Sequence, residues 1–207
     1  MMSLKENNQV TIVGKVISEF TFNHAVFGEG FYLLKVSVNR LSDQADLVPV
    51  MVSERLIDIT DEWFGKTVNI VGQLRSYNKH ENGKSRLLLS IFAKEFEITE
   101  KREKNEIYLE GYICKPPVYR KTPLGREITD LLVAVNRPYG KSDYIPCITW
   151  GRNARHAGNF EVGEKIALLG RVQSREYKKE TEEAKKEERI AYEVSVMRIN
   201  IAEEMEG

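Results

Sequence analysis

The sequence predicts an all-β fold of two tandem five-stranded Greek-key barrels, each with a short helix between its third and fourth strands. Two observations carry that expectation. A block of sequence recurs at constant spacing, and inside each copy the apolar pattern reads as five strands in the same order.

The recurrence comes first, because a fixed internal period decides the architecture. Asn8-Gln9-Val10-Thr11-Ile12-Val13-Gly14-Lys15-Val16 returns as Asn105-Glu106-Ile107-Tyr108-Leu109-Glu110-Gly111-Tyr112-Ile113. Val38-Asn39-Arg40 returns as Val135-Asn136-Arg137 and Pro49 as Pro146, all 97 residues later. Val68-Asn69-Ile70-Val71-Gly72-Gln73 is answered by Ile166-Ala167-Leu168-Leu169-Gly170-Arg171, one residue further on. Each copy is about 100 residues, an ordinary domain size. The charged junction at 99–104 separates an expected domain 1–101 from an expected domain 102–207.

The elements follow in order. A first strand is expected at 8–20 and 105–115, with Gly14 and Gly111 marking a bulge or sharp bend of the kind found at a barrel corner. Apolar, β-branched runs place second strands at 30–39 and 127–136 and third strands at 46–53 and 143–150. Helix-like pieces, 54–63 and 153–160, end at Gly65 and Gly163. Trp63 and Phe64, at the end of the first piece, are expected to pack against the core. Fourth strands cover 66–76 and 164–177, and fifth strands 85–98 and 190–201. Asn82-Gly83 favours a tight turn between the last two strands of the first copy, whereas the second copy has a charged connection at 178–189, read as a solvated hairpin or short helix. Five strands with one helix between the third and fourth is the pattern of the OB-fold, whose strand 2–3 face and loops take oligonucleotides.

Composition bounds the chemistry. With 42% apolar residues the chain can bury a core, and no stretch is apolar enough to span a membrane. No apolar signal core is read near residue 1, so a cytoplasmic protein is expected. Cys114 and Cys147 lie on strand patterns and are expected to be buried thiols. His24, His80 and His156 have no metal-ligand spacing, and no phosphate-binding loop or nucleophile motif is present, so neither enzyme activity, cofactor, metal nor small-molecule substrate is expected. The net charge is zero but unevenly spread: residues 104–178 hold 13 Lys and Arg against 8 Asp and Glu, whereas 179–207 hold 5 against 9. The basic middle contains a hairpin, 131–151, that carries Arg137, Tyr139, Lys141, Tyr144, Trp150 and, just beyond, Arg152. Rings interleaved with cations suit single-stranded nucleic acid, because bases stack on rings while cations follow phosphates. By strand alternation Tyr144, Pro146, Ile148 and Trp150 share one side.

The second copy carries Asn105-x-Ile107-x-Leu109-x-Gly111, Pro117, Leu132-x-Ala134-Val135-Asn136-Arg137, Tyr144-Ile145-Pro146-Cys147-Ile148-Thr149-Trp150-Gly151, and Gly163 through Gly170-Arg171-Val172-Gln173-Ser174-Arg175. In this set of motifs it resembles the bacterial single-stranded DNA-binding protein family. The resemblance covers about 104–201 and, through the repeat, more weakly 7–98. The resemblance implies sequence-independent binding of single-stranded DNA in replication, recombination or repair. It implies base stacking on Tyr139, Tyr144, Trp150 and Tyr177, with phosphate contacts from Arg120, Lys121, Arg126, Arg137, Lys141, Arg152, Arg171, Arg175 and Lys178. Four OB domains per assembly imply a homodimer of this two-domain chain. In the first copy Leu47 replaces Tyr144, Ser53 replaces Trp150 and Leu41-Ser42 stand near Tyr139, which leaves Phe31, Arg40, Arg75, Tyr77 and Lys79 as weaker candidates. The first copy therefore reads as a weaker binder or an assembly partner. The end at 202–207 is short for the family's acidic recruiting tail. A second reading is an assembly or protein-interaction module of a replication or phage/mobile-element system, with little DNA binding of its own.

Overall fold

The computed structural model describes residues 6–81, 83–180 and 186–202. The first copy forms β1 (Asn8–Val16), β2 (Thr21–Val26), β3 (Glu29–Asn39), β4 (Ala45–Ser53), β5 (Thr67–Glu81) and β6 (Lys84–Ile98). The second forms β7 (Lys104–Ile113), β8 (Val118–Lys121), β9 (Glu127–Asn136), β10 (Ser142–Trp150), helix α1 (Arg152–Ala157), β11 (Lys165–Glu180) and β12 (Lys186–Ile201). Neighbouring strands run β3-β4-β6-β5-β1 and close through a β3–β1 pairing; the second copy repeats this as β9-β10-β12-β11-β7 closed through β7–β9. Each copy is thus a closed ring of five strands, with β2 or β8 as an outer flap on its second strand.

Burial in β10 follows the pleat except at Ile148, which is buried although it alternates with Tyr144 and Trp150. In β10 Tyr144 and Trp150 face water while Ile145, Cys147 and Thr149 are buried. Val10, Ile12, Leu34, Val36, Ile70, Leu74 and Ile91 fill the first barrel; Ile107, Leu109, Val133, Ile145, Ile166 and Leu168 fill the second. Each such side chain contributes roughly 1.5–3 kcal/mol on leaving water. Cys147 is fully buried, which pushes its thiol well above the usual range; Cys114 is only half-buried and donates to the Leu132 carbonyl at 3.2 Å.

The expected bulge glycines act by close approach. A side chain on Gly111 would run into the Ala134 carbonyl, where β7 crosses β9 to close the barrel, and one on Gly14 would meet the Ser37 carbonyl at the matching place. The register irregularities fall elsewhere, between Val71 and Gly72 and between Leu169 and Gly170. Gly111→Val is therefore expected to cost about 1–3 kcal/mol through overpacking. A urea midpoint equal to that of the wild type would remove the close-approach account.

Two local expectations change, and a third is narrowed to the hairpin of its two alternatives. Residues 54–66 form turns and bends with no helix, whereas α1 forms in the second copy. The Asp58 carboxylate accepts from the Thr60 amide at 2.9 Å and the Thr60 hydroxyl at 2.6 Å, which offers the backbone a turn in place of a helix. Trp63 does pack on the core, edge-on to Phe96 at 5.2 Å with its Nε1 donating to the Asp58 carbonyl, but Phe64 is exposed. The 178–189 connection is mostly strand: β11 and β12 stay paired out to Glu180 and Lys186, and residues 181–185 lie outside the described residues.

The two barrels are joined by strand pairing. β1 and β7 run antiparallel, with Val10 opposite Ile107, Asn8 opposite Leu109 and Ile12 opposite Asn105. Val10 and Ile107 are each other's repeat counterparts, so a pseudo-twofold axis passes through that pair. Equivalent side chains obey it. Asn8 Nδ2 donates to the Leu74 carbonyl and its Oδ1 accepts from the Leu74 amide at 2.8 and 2.9 Å; Asn105 does the same with Val172 at 2.7 and 2.9 Å.

Candidate nucleic-acid interface

The pairing of β1 with β7 brings the start of each third strand against the fourth strand of the other barrel. In one junction Asp46, buried on β4, accepts from Arg40 Nε at 3.0 Å, from Arg171 Nη1 at 2.7 Å and from the Ser174 amide at 3.1 Å. The Leu47 amide donates to the Ser174 hydroxyl at 2.9 Å. The other junction mirrors it. Asp143, with no exposed surface, accepts from Arg137 Nη2 at 2.9 Å and from the Ser76 amide at 2.8 Å, and Arg137 Nε lies 2.8 Å from its second oxygen as an ion pair. The Tyr144 amide donates to the Ser76 hydroxyl at 2.7 Å. Arg40, Arg137 and Arg171, expected on phosphate, are thus already committed to buried carboxylates, and they hold the barrels in register.

An open groove of about 690 Å³ runs along the first junction. Its walls include Arg40 and Gln44 from the β3–β4 loop, and Trp150, Arg126, Arg171 and Arg175 from the second barrel. Two guanidiniums, Arg40 and Arg171, share the single Asp46 carboxylate, which leaves a positive excess there. Arg175 is over half exposed and only loosely paired with Glu193 at 3.4 Å. Arg126 is exposed and makes no ion pair among the described residues. Trp150 is 38% exposed, enough to present a ring face.

The four expected stacking rings do not line one groove. Trp150 lies in the groove just described, whereas Tyr144 sits at the other junction, beside β5 of the first barrel. Tyr139 is fully exposed at the tip of the β9–β10 loop, within a 3-10 turn, Pro138–Gly140, that an Arg137 amide to Lys141 carbonyl bond closes. It holds the left-handed region, φ 67°, which is costly for a bulky side chain and unlike ordinary loop packing. Tyr177 is exposed far along β11, opposite Arg189. Among the remaining cations Lys121, Lys141 and Arg152 are exposed and make no ion pair among the described residues; Arg120 pairs with Asp130 at 2.8 Å. The side chain of Lys178 lies outside the described residues.

In the first barrel Phe31 and Arg75 come together, and with them two residues the sequence reading missed, His24 and Phe92. His24 stacks on Phe31 at 4.9 Å, Phe31 lies 5.8 Å from Phe92, and the Arg75 guanidinium sits 3.8 Å above Phe92. Tyr77 is exposed two residues further along β5, as is Lys79 beyond it. Aligning the fifth strands would have shown Phe92: it occupies the place of Ser195, since Met51 faces Phe92 as Ile148 faces Ser195.

Comparison with known proteins finds similarity in sequence and in fold. A model of the single-strand binding protein family matches residues 104–201. The match is confined to the second barrel. Single-stranded DNA-binding protein 3 of Listeria innocua is 35% identical over 80 residues, which cover 35% of this chain and 50% of that protein. Single-stranded DNA-binding protein A of Bacillus subtilis is also 35% identical over 80 residues, covering 35% of this chain and 46% of that one. The chain thus spans about half the length of these relatives. The crystal structure of the wild-type single-stranded DNA binding protein from Thermus aquaticus superposes with a TM-score of 0.78 at 18% identity, over 97% of this chain and 95% of that one. A deletion mutant of the same Thermus protein gives 0.72 at 20% identity, over 95% of both chains. Both barrels and their mutual placement therefore share the Thermus fold, whereas the sequence match to the single-strand binding family spans only the second.

Proposed function

We propose that the protein coats single-stranded DNA without regard to sequence, in replication, recombination or repair. The observation that carries this reading is the junction groove, where Trp150 stands among Arg40, Arg126, Arg171 and Arg175. A ring face offers each base stacking worth roughly 1–3 kcal/mol, whichever base it is, and the guanidiniums attract the phosphates. Arg126 and Arg175, with Lys121, Lys141 and Arg152, supply the phosphate contacts. Arg40, Arg137 and Arg171 act as positioning residues whose shared carboxylates set the groove walls. Domains 1–101 and 102–207 meet between β6 and β7 in this reading. A homodimer is part of it too: Tyr112 on β7 and Leu169 on the neighbouring β11 are exposed apolar side chains that a second copy could cover. Binding the chromosome sets the place of action in the cytoplasm, and among the described residues no helix is long and apolar enough to cross a membrane.

The test is a titration with oligo-dT, followed by tryptophan fluorescence at two salt concentrations. Quenching is expected, with log affinity falling against log salt by about 0.7 per phosphate neutralised. An absence of binding at low salt would overturn the reading. Light scattering on the same sample reads the assembly directly, and a mass of one chain would remove the dimer.

A further inference from the structure

The first barrel has lost the aromatics at the places that count in the second, yet its surface is not bare. The position of Trp150 is Ser53, directly opposite Phe31 on β3, as Trp150 is opposite Ile128 on β9. The third member of each set is Phe92 or Ser195. The second barrel therefore offers one large ring with Ile128 and Ser195 beside it. The first offers a small Ser53 with Phe31 and Phe92 beside it. The aromatic surface has moved between strands of the same sheet face.

The cation has moved with it. β11 carries Arg171-Val172-Gln173, and β5 carries Gln73-Leu74-Arg75 at the equivalent place. In both, the arginine Nη2 donates to the glutamine Oε1 at 3.1 Å, so the pair is the same and its order is reversed. Exchanging the two moves the guanidinium by two residues, about 7 Å along the strand. Arg171 consequently reaches Asp46, whereas Arg75 lies over the Phe92 ring. Asp143 is left to Arg137 as its ion-pair partner among the described residues. Arg75 Nε is buried and has no hydrogen-bond partner among the described residues, and burial followed by the Arg137 charge holds its pKa below the usual arginine value. A buried cationic donor left open beside two half-exposed rings is costly unless something accepts from it.

We infer that Phe31, Phe92 and Arg75 form a second base-stacking and phosphate-accepting patch, and that Tyr144 from the other barrel borders it. The ligand class is an unstacked nucleobase with its 5′ or 3′ phosphate in single-stranded nucleic acid. His24, exposed on the β2 flap and stacked parallel to Phe31 at 8°, covers one face of that ring in the way a base does. Tyr144 belongs here by position: its backbone is bonded to Ser76, the residue between Arg75 and Tyr77. The chain thus carries two chemically unlike patches, a tryptophan groove and a phenylalanine–arginine ladder, one at each junction. This inference rests on the single-strand binding proposed above and deepens it.

The experiment places a reporter in the patch of the full-length chain. Phe92→Trp is made in a Trp150→Phe background, and Trp150→Phe alone is the control for Trp63. Saturation with dT20 is expected to quench the added emission, as base stacking on the introduced indole requires. A second variant, Phe31→Leu with Phe92→Leu, keeps the apolar volume and removes the ring faces. It is expected to shorten the length of poly-dT occluded per chain and to weaken dT20 binding about tenfold or more. Unquenched emission in a chain that still binds labelled dT20 by anisotropy, with occluded length and affinity unchanged in the leucine variant, would overturn the inference and leave the function standing. Failure of the wild-type chain to bind labelled dT20 would overturn both.

Discussion

Asp143→Ala is expected to destabilise the protein by about 3 kcal/mol, at the lower end of what breaking a buried ion pair costs. The carboxylate has no exposed surface and serves both barrels at once, through Arg137 on its own side and the Ser76 amide on the other. Its removal leaves a guanidinium and a backbone N–H without their acceptor in a desolvated seam. Arg137 keeps about a quarter of its side-chain surface in water, which limits the penalty. Urea unfolding measures the loss. Because Arg137 and Asp143 act as one unit, Arg137→Ala added to Asp143→Ala should cost less than the two single changes summed. An unchanged midpoint in Asp143→Ala would show that this carboxylate adds nothing to the tie between the barrels.

Trp150→Ala is expected to weaken single-strand binding by roughly 1–3 kcal/mol, five- to more than a hundredfold, with little change in melting temperature. The ring is more than a third exposed and lines the groove, whereas the residues beside it in β10, Ile148 and Thr149, are buried. Fluorescence is lost with the ring, so anisotropy of a labelled oligonucleotide is the measurement. A large drop in melting temperature with affinity retained would make Trp150 a core residue and move the binding surface elsewhere.

Much of the architecture was legible because a repeat at a constant offset transfers every strand from one copy to the other. The flaps β2 and β8 were not. All six residues of β2 and all four of β8 are exposed, so neither shows the alternation that marks a half-buried strand. The first copy forms no helix at 54–63 because the Asp58–Thr60 turn is a local hydrogen-bond choice that the apolar pattern of Leu56, Ile57 and Ile59 does not show. At the site, rings and cations were visible but their partners were not. Arg40 and Asp46, or Arg137 and Asp143, are six residues apart across a hairpin, and nothing in that spacing says the carboxylate is buried and shared with the other barrel. Phe92 is hidden in the repeat because it does not stand at the place of a second-copy tyrosine or tryptophan: the ring has passed to a different strand.

The antiparallel pairing of β1 with β7 about Val10 and Ile107 has a directional consequence. A nucleic-acid strand has a 5′ and a 3′ end, and a twofold axis reverses direction. A strand laid smoothly across both junctions therefore meets one barrel head first and the other tail first. Two identical surfaces could not both be matched to it without a sharp turn of the backbone between them. Once both barrels are encoded in one chain, each half can diverge to suit the polarity it meets, and an exchange as small as Arg-x-Gln for Gln-x-Arg is the kind of change that freedom permits.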